Sequence, residues 1–350
     1  MRNLILPFIL LLTFIFSCRE NDIDDGLEQK NVSYDVYIAG RENNKACYWK
    51  NTIKTDLNDG DNLLPLEIIL ENNNIYVTGS MGINPISYKT INYFWKNNVR
   101  IGIKQHLNIP NSAQSNITAF AVKNGDIYFA GYVENPAATS TIDRFELCYW
   151  KNGVKTILHK SQYISSTEGI HIEDSDVYVS ALVVYNNQNT DRGYFKNMVY
   201  HSLNQPEYVL NFAKNNSGLN ILLQRNSKYY YKNITSGTET LIGDYALPIS
   251  NLKKILSDKV TNDLYTLYNF GSYQYYKNST LITPNFSSLT TIQDIFALDN
   301  KIYMIKYDVQ NGVYYGKVYI NDVETQNISS NQNGTINYTG TFNTIFVVEN

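Results

Sequence analysis

Short runs of consecutive apolar residues, each with tyrosine in second place, recur along the chain. They read Val36-Tyr37-Ile38-Ala39-Gly40, Ile75-Tyr76-Val77-Thr78-Gly79, Ile127-Tyr128-Phe129-Ala130-Gly131, Val177-Tyr178-Val179-Ser180, Leu264-Tyr265-Thr266-Leu267 and Ile302-Tyr303-Met304-Ile305. A copy near Asn220-Ile221-Leu222 lacks the tyrosine, and an eighth stands at Thr344-Ile345-Phe346-Val347. Runs this short, apolar at nearly every position, predict strands covered on both faces.

After each run comes an aromatic pair with Lys-Asn. The copies are Tyr48-Trp49-Lys50-Asn51, Phe94-Trp95-Lys96-Asn97, Tyr149-Trp150-Lys151-Asn152, Tyr194-Phe195-Lys196-Asn197, Tyr230-Tyr231-Lys232-Asn233, Tyr275-Tyr276-Lys277-Asn278 and the degenerate Val318-Tyr319-Ile320-Asn321. Here the pattern alternates, with Cys47 and Trp49 opposite Tyr48 and Lys50, as in a partly exposed strand. Successive copies lie 36 to 55 residues apart, a repeat length typical of propeller blades.

Each unit reads as four strands. In the third, Ile117–Val122 turns through Asn124-Gly125 into Ile127–Gly131, and after a long loop Glu146–Trp150 turns through Asn152-Gly153 into Val154–Leu158. Asn-Gly supplies the positive φ angles of a tight hairpin. Equivalent turns are expected at Asn73-Asn74, Ser175-Asp176, Asn262-Asp263 and Asn300-Lys301. A sheet with two apolar faces must be shielded by its neighbours, and a closed ring of such sheets does this: an all-β propeller. Seven Lys-Asn hairpins argue for seven four-stranded blades. The chain starts at a second-strand element and ends with strands one and two, so Thr335–Val348 is expected to complete the first blade beside Asn31–Gly40. That leaves one strand too many. Six or eight blades stay open, as does a two-sheet solenoid. The units also resemble kelch-like propeller repeats of secreted bacterial proteins, above all lipoproteins with VYVAG and YWKNG units; the resemblance covers residues 32–350 and implies a fold and a binding habit.

Residues 1–17 form an export signal: a positive start at Arg2, then an apolar run from Leu4 to Phe16. A helix that spans ~30 Å of hydrocarbon needs about 20 residues, so this run fits a signal core instead. Ile15-Phe16-Ser17-Cys18 resembles the lipobox of bacterial lipoproteins, which implies lipid attachment at Cys18 and cleavage before it. Residues 18–31 then carry Glu20, Asp22, Asp24, Asp25 and Glu28, an acidic tether that resembles the surface-export signal of Bacteroidetes-type lipoproteins. Arg19 stands where an inner-membrane retention signal would have Asp. The expected location is the outer membrane, on its periplasmic or its cell-surface side, with the lipid anchor as the membrane contact.

The formal charge of −3 becomes about −4 without Arg2, which leaves no electrostatic footprint for nucleic acid. No phosphate loop, dinucleotide fingerprint or Gly-x-Ser-x-Gly is present, and no cofactor is implied. His106, His159, His171 and His201 have no metal-site spacing. Asp56-Leu57-Asn58-Asp59-Gly60-Asp61, with Glu67, approaches a calcium loop, but glycine is fifth where the loop needs it sixth, and a polar turn between blades is the better reading. Trp49, Trp95 and Trp150 share one repeat position and are expected as packing anchors rather than sugar platforms. Cys47 and Cys148 also share a position, two blades apart, beyond the ~7 Å reach of a disulfide.

Strands alternate in direction, so the short hairpins gather on one face and the long insertions Ser80–Asn92, Tyr132–Phe145 and Leu182–Gly193 on the other. Long loops on a rigid scaffold are the usual place for recognition. Tyr88, Tyr132, Arg144, Phe145, Tyr185 and Arg192 are the candidate binding residues there, with Glu134 and Asp143 beside them. The expected function is a non-enzymatic module that binds protein or glycan. The alternative is a polysaccharide- or peptidoglycan-processing enzyme, which requires polar groups from several blades converging at the axis.

Overall fold

Left-handed backbone at asparagine punctuates the chain. Asn51, Asn97, Asn152, Asn197, Asn278 and Asn321 all have φ between 45 and 56°, a region that asparagine tolerates better than most residues. Each opens the turn between the third and fourth strands of a four-stranded antiparallel sheet. The computed structural model describes residues 33–81, 90–204, 206, 208–244, 252–268, 274–284, 291–333 and 337–350.

Seven sheets form a seven-bladed β-propeller. Blade 2 runs Leu64–Glu71, Asn74–Ser80, Tyr93–Lys96, Val99–Gly102, and blade 3 Ser115–Lys123, Asp126–Glu134, Phe145–Lys151, Val154–Ser161. Blade 4 is Ile170–Glu173, Asp176–Val184, Thr190–Lys196, Val199–Ser202, and blade 5 Tyr208–Asn215, Gly218–Arg225, Lys228–Asn233, Glu239–Asp244. Blade 6 is Leu252–Ser257, Leu264–Tyr268, Tyr275–Lys277, Thr280–Ile282. Blade 7 is Thr291–Leu298, Lys301–Gln310, Val313–Ile320, Val323–Asn333, with Asn337–Tyr338 as a short fifth strand. Blade 1 takes its first strand from the C-terminus: Thr341–Glu349 precedes Tyr34–Glu42, Lys45–Lys50 and Ile53–Asp61 in the sheet.

This closure corrects one expectation. Thr344–Val347 is not a second-strand copy but part of the first strand of blade 1, because the chain runs straight through Asn343-Thr344 without turning. Among the described residues, the one strand beyond four per blade is the two-residue Asn337–Tyr338 at the edge of blade 7. Three turns also fall one residue earlier than expected, at Asn72-Asn73, Asp174-Ser175 and Asp299-Asn300, where Asn72, Asp174 and Asp299 take the positive φ. Asp56–Asp61 is not a connection between blades; it is the bulged end of the outer strand Ile53–Asp61.

A bulge recurs in the first strand of most blades, between Pro65 and Glu67, Ile117 and Ala119, Val209 and Phe212, Leu252 and Lys254, and Ile292 and Asp294. Bulges strengthen local twist. Beside the bulge in blade 3, a Cβ on Gly131 would stand 2.2 Å from Asn116 O, and in blade 1 one on Gly40 would stand 2.0 Å from Thr341 O. Only glycine lets the second strand pass so near the first.

The cores lie between blades. Trp95 packs with Tyr37, Ala39 and Leu57 of blade 1. Trp150 packs with Tyr76 and Phe94 of blade 2. Both indoles are fully buried, as packing anchors should be. Asp35–Val348 form this body; outside it, Asn350 N donates to Ser33 O at 2.9 Å. Residues 1–32, with the signal, Cys18 and the tether, lie outside the described residues, as does Tyr88. Among the described residues no helix is long and apolar enough to cross a membrane.

Candidate binding face

The long connections between second and third strands do gather on one face, but the strands reach further into them than the sequence suggested. In blade 3 the loop is only 135–144, because pairing continues to Glu134↔Phe145. In blade 4 it shrinks to 185–189, closed by the Val184↔Thr190 pair. Tyr132, Phe145 and Arg192 are therefore strand residues, held more rigidly than loop residues would be.

The candidates fall into three groups. At the corner of blade 3, exposed Arg144 lies 4.9 Å from the centre of the Phe145 ring and 3.1 Å from Glu134 Oε1. Phe145 meets Tyr132 edge-on at 6.1 Å, and Gln114 donates to Tyr132 Oη at 3.3 Å. The Glu134 carboxyl is held below its usual range by the Gln114 backbone N–H and by Arg144. Underneath, buried Glu146 accepts from Lys155 at 2.7 Å and from Asn135 at 3.2 Å, which fixes the root of the loop. Tyr185 makes the second group: exposed at the tip of blade 4, it packs edge-on against His159 of blade 3 at 5.5 Å.

Arg192 belongs to the third group, a cleft between blades 4 and 5 of about 230 Å³. Ser166, Thr167, Glu168, Leu182 and Tyr208 line it with Arg192. One wall comes from the connection into blade 4, which is drawn into the sheet as a partial strand: Ser166 N donates to Leu182 O at 3.0 Å and Leu182 N to Ser166 O at 2.9 Å. Thr118 of blade 3 fastens this segment by donating to Thr167 O at 2.7 Å, and Ser180 Oγ accepts from Gly169 N at 2.9 Å. Opposite Leu182 in the next strand stands Arg192, with its guanidinium 5.2 Å from the centre of the Tyr208 ring. No ion pair to Arg192 occurs among the described residues, whereas Arg100, Arg144 and Arg225 each have a carboxylate. Tyr208 is 37 % exposed, so its ring offers a face to solvent.

Sequence reasoning found Arg192 but missed Thr167, Glu168 and Tyr208. Nothing in the chain relates position 192 to 208 or 167; only the packing of blade on blade brings them together.

At the axis, the first strands carry polar side chains committed to neighbouring blades. Gln293 of blade 7 donates to Asn343 O of blade 1 at 3.5 Å, and Asn343 donates to Pro65 O of blade 2 at 2.9 Å. Asp294 is occupied by Lys254 and two backbone N–H groups. Such amides and a neutralised carboxylate tie blades together and do not form an acid–base pair. The most perturbed amine is Lys306, which burial pushes down to about 7 and which lies 3.9 Å over the Tyr319 ring. At 1 % exposure it is closed to any substrate. Cys47 and Cys148 are buried free thiols, both pushed up to about 12 by burial, and so not poised as nucleophiles. Among the described residues no His, Cys, Asp and Glu cluster could hold a metal ion.

No family model and no curated protein matches the chain. Solved structures resemble it in fold. Apo AztD from Citrobacter koseri matches at TM-score 0.43 and 10 % identity over 91 % of this chain and 98 % of that one. A structure of a nidogen/laminin complex matches at TM-score 0.43 and 9 % identity over 90 % and 98 %. The Dos1 propeller matches at TM-score 0.41 and 9 % identity over 76 % and 73 %.

Proposed function

We propose that the protein is a binding module, lipid-anchored at Cys18 to the outer membrane, that takes a sugar unit of a glycan in the cleft between blades 4 and 5. The observation that carries this reading is the combination in one concavity of an arginine with no ion pair among the described residues, an exposed tyrosine face and a carboxylate-bearing wall. Sugars present vicinal hydroxyls on an apolar ring face. Arg192 supplies donors in a fixed fork, Glu168 an acceptor and Tyr208 a flat surface for C–H groups. Size decides against a large apolar ligand: 230 Å³ falls below the ~300–1,000 Å³ of clefts that hold drug-sized molecules. The engagement of Gln293, Asn343 and Asp294 in joining blades supports recognition over catalysis at the axis. Arg144, Phe145 and Tyr132 would extend the contact along a chain.

The test is a glycan array probed with the purified full-length lipoprotein, followed by calorimetry on any hit. A bound glycan whose affinity falls at least tenfold in Arg192→Ala and in Tyr208→Ala is expected. Binding unchanged by both variants would move the site elsewhere; capture of a protein partner with no glycan bound would replace the reading.

A further inference from the structure

The hairpin face, opposite the cleft, repeats a pattern of its own. The residue that opens the fourth strand is β-branched and exposed in five blades: Ile53 at 73 %, Val99 at 61 %, Val154 at 70 %, Val199 at 62 % and Val323 at 65 %. One exposed valine means nothing. The same kind of side chain at the same place in five blades sets apolar tips around one rim, where a polar residue would have served a soluble strand equally well.

In four blades the cross-strand neighbour is the motif lysine: Lys50 for Ile53, Lys96 for Val99, Lys151 for Val154 and Lys196 for Val199. Three of these four lysines are neutralised, and Lys96 lies 5.6 Å from the centre of the Tyr76 ring. Lys50 pairs with Asp35 at 2.7 Å, Lys151 with Asp126 at 2.7 Å and Lys196 with Asp176 at 2.8 Å. The rim therefore sets apolar tips beside three neutralised pairs and Lys96, with the lysine stems alongside, a composition suited to the boundary between lipid headgroups and water.

The propeller body also begins on this face. Asp35 is its first residue, and its neighbour Val36 donates to Asn51 Oδ1 in the hairpin of blade 1 at 2.8 Å. Residues 19–34 join Asp35 to Cys18, a stretch that reaches about 60 Å at most. An anchor at Cys18 thus tethers the molecule by its hairpin face.

We propose that the hairpin face docks on the lipid bilayer that holds the anchor, with Ile53, Val99, Val154, Val199 and Val323 in the headgroup region and the cleft facing away. The proposal rests on the lipid anchor and is independent of the glycan reading.

The test places the full-length protein in vesicles of phosphatidylethanolamine and phosphatidylglycerol that contain headgroup-nitroxide lipid. A fluorophore is attached through Val154→Cys or Val323→Cys on the rim, or Tyr185→Cys on the other face; Cys47 and Cys148 are buried. Quenching several-fold stronger at the two rim positions than at 185 is expected. Combined Val99→Asp, Val154→Asp and Val199→Asp substitutions should remove that difference at position 323 while mass spectrometry still finds the acyl chain. An acylated protein quenched equally on both faces overturns the docking and leaves the anchor standing. Cys18 without an acyl chain overturns both. Quenching of the rim by a spin-labelled second copy and not by lipid makes the rim an interface between copies, which also overturns the proposal.

Discussion

Asn152 binds Ile127 twice: its Oδ1 accepts the Ile127 N–H at 2.8 Å, and its own N–H donates to Ile127 O at 2.8 Å. The turn between the outer strands is thereby stapled to the start of the second strand. The remaining Asn152 amide donates to Asp126, which also takes Lys151 at 2.7 Å while Lys151 lies 5.6 Å from the Tyr128 ring centre. The same staple joins Asn51 to Val36, Asn97 to Ile75, Asn197 to Val177, Asn278 to Leu264 and Asn321 to Ile302. Lys-Asn and the apolar-Tyr run are two halves of one device.

Removing it at Asn152 should cost stability without unmaking the fold. Asn152→Ala loses two side-chain hydrogen bonds and forces alanine to φ near 50°, together about 2–3 kcal/mol. Asn152→Gly keeps the backbone angle and loses only the bonds, about 1–2 kcal/mol. Urea unfolding of both variants measures the difference; equal losses would mean that the turn conformation carries no strain.

The repeat that the staple serves was legible in the sequence, and so were the seven blades and the burial of the three tryptophans, because each follows from local pattern. The cause of the Lys-Asn motif was not. Its partner, the Asp or Asn before the apolar run (Asp35, Asn74, Asp126, Asp176, Asp263), stands 14 to 25 residues away and looks like an ordinary turn residue. Thr344–Val347 was misplaced because the end of this inner strand, Ile345-Phe346-Val347, is as apolar as a second strand, and apolarity alone does not distinguish them. The cleft was half legible: Arg192 stood out as a charge beside a long insertion, but Tyr208 and Thr167 join it only through packing across a blade boundary.

Acid should weaken the protein before its carboxylates titrate. His171 packs between Tyr178 and Phe212, its Nε2 buried without a hydrogen bond, and its pKa falls to about 4 through burial, helped by Lys214 and Lys123 and opposed by Glu173. A free histidine titrates near 6.5. Between those values the unfolded chain takes up a proton that the folded protein refuses, so stability is full above pH 6.5 and drains away as pH falls to 4. The loss is about 3 kcal/mol for His171. His106, lowered in the same sense by burial beside Phe94, adds to it. Unfolding midpoints measured from pH 7 to 4 should show this slope, and His171→Phe should flatten much of it. A variant as acid-sensitive as the parent between pH 6.5 and 5 would assign the slope to other groups.

Ring closure concentrates on one carboxylate. Asp294 is 2 % exposed and receives Lys254 Nζ of blade 6 at 3.1 and 3.2 Å, the N–H of Ile295 at 2.9 Å and the N–H of Ile345 at 3.0 Å. Ile345 lies in the C-terminal strand that completes blade 1, so three successive blades meet on this group. Removing one partner of a buried pair costs about 3–5 kcal/mol, largely because the other charge is left unpaired. Asp294→Ala should therefore destabilise by that amount, and Lys254→Met in the same chain should recover part of the loss by removing the stranded ammonium. A merely local role would stop there. If Asp294 clasps the ring, hydrogen exchange at Ile345 should quicken in Asp294→Ala more than exchange at the equivalent Phe120 of blade 3, which lies far from the seam. Equal acceleration at both amides would mean that the carboxylate stabilises the body in general and that the closing strand is held by its pairing with Tyr34–Glu42 alone.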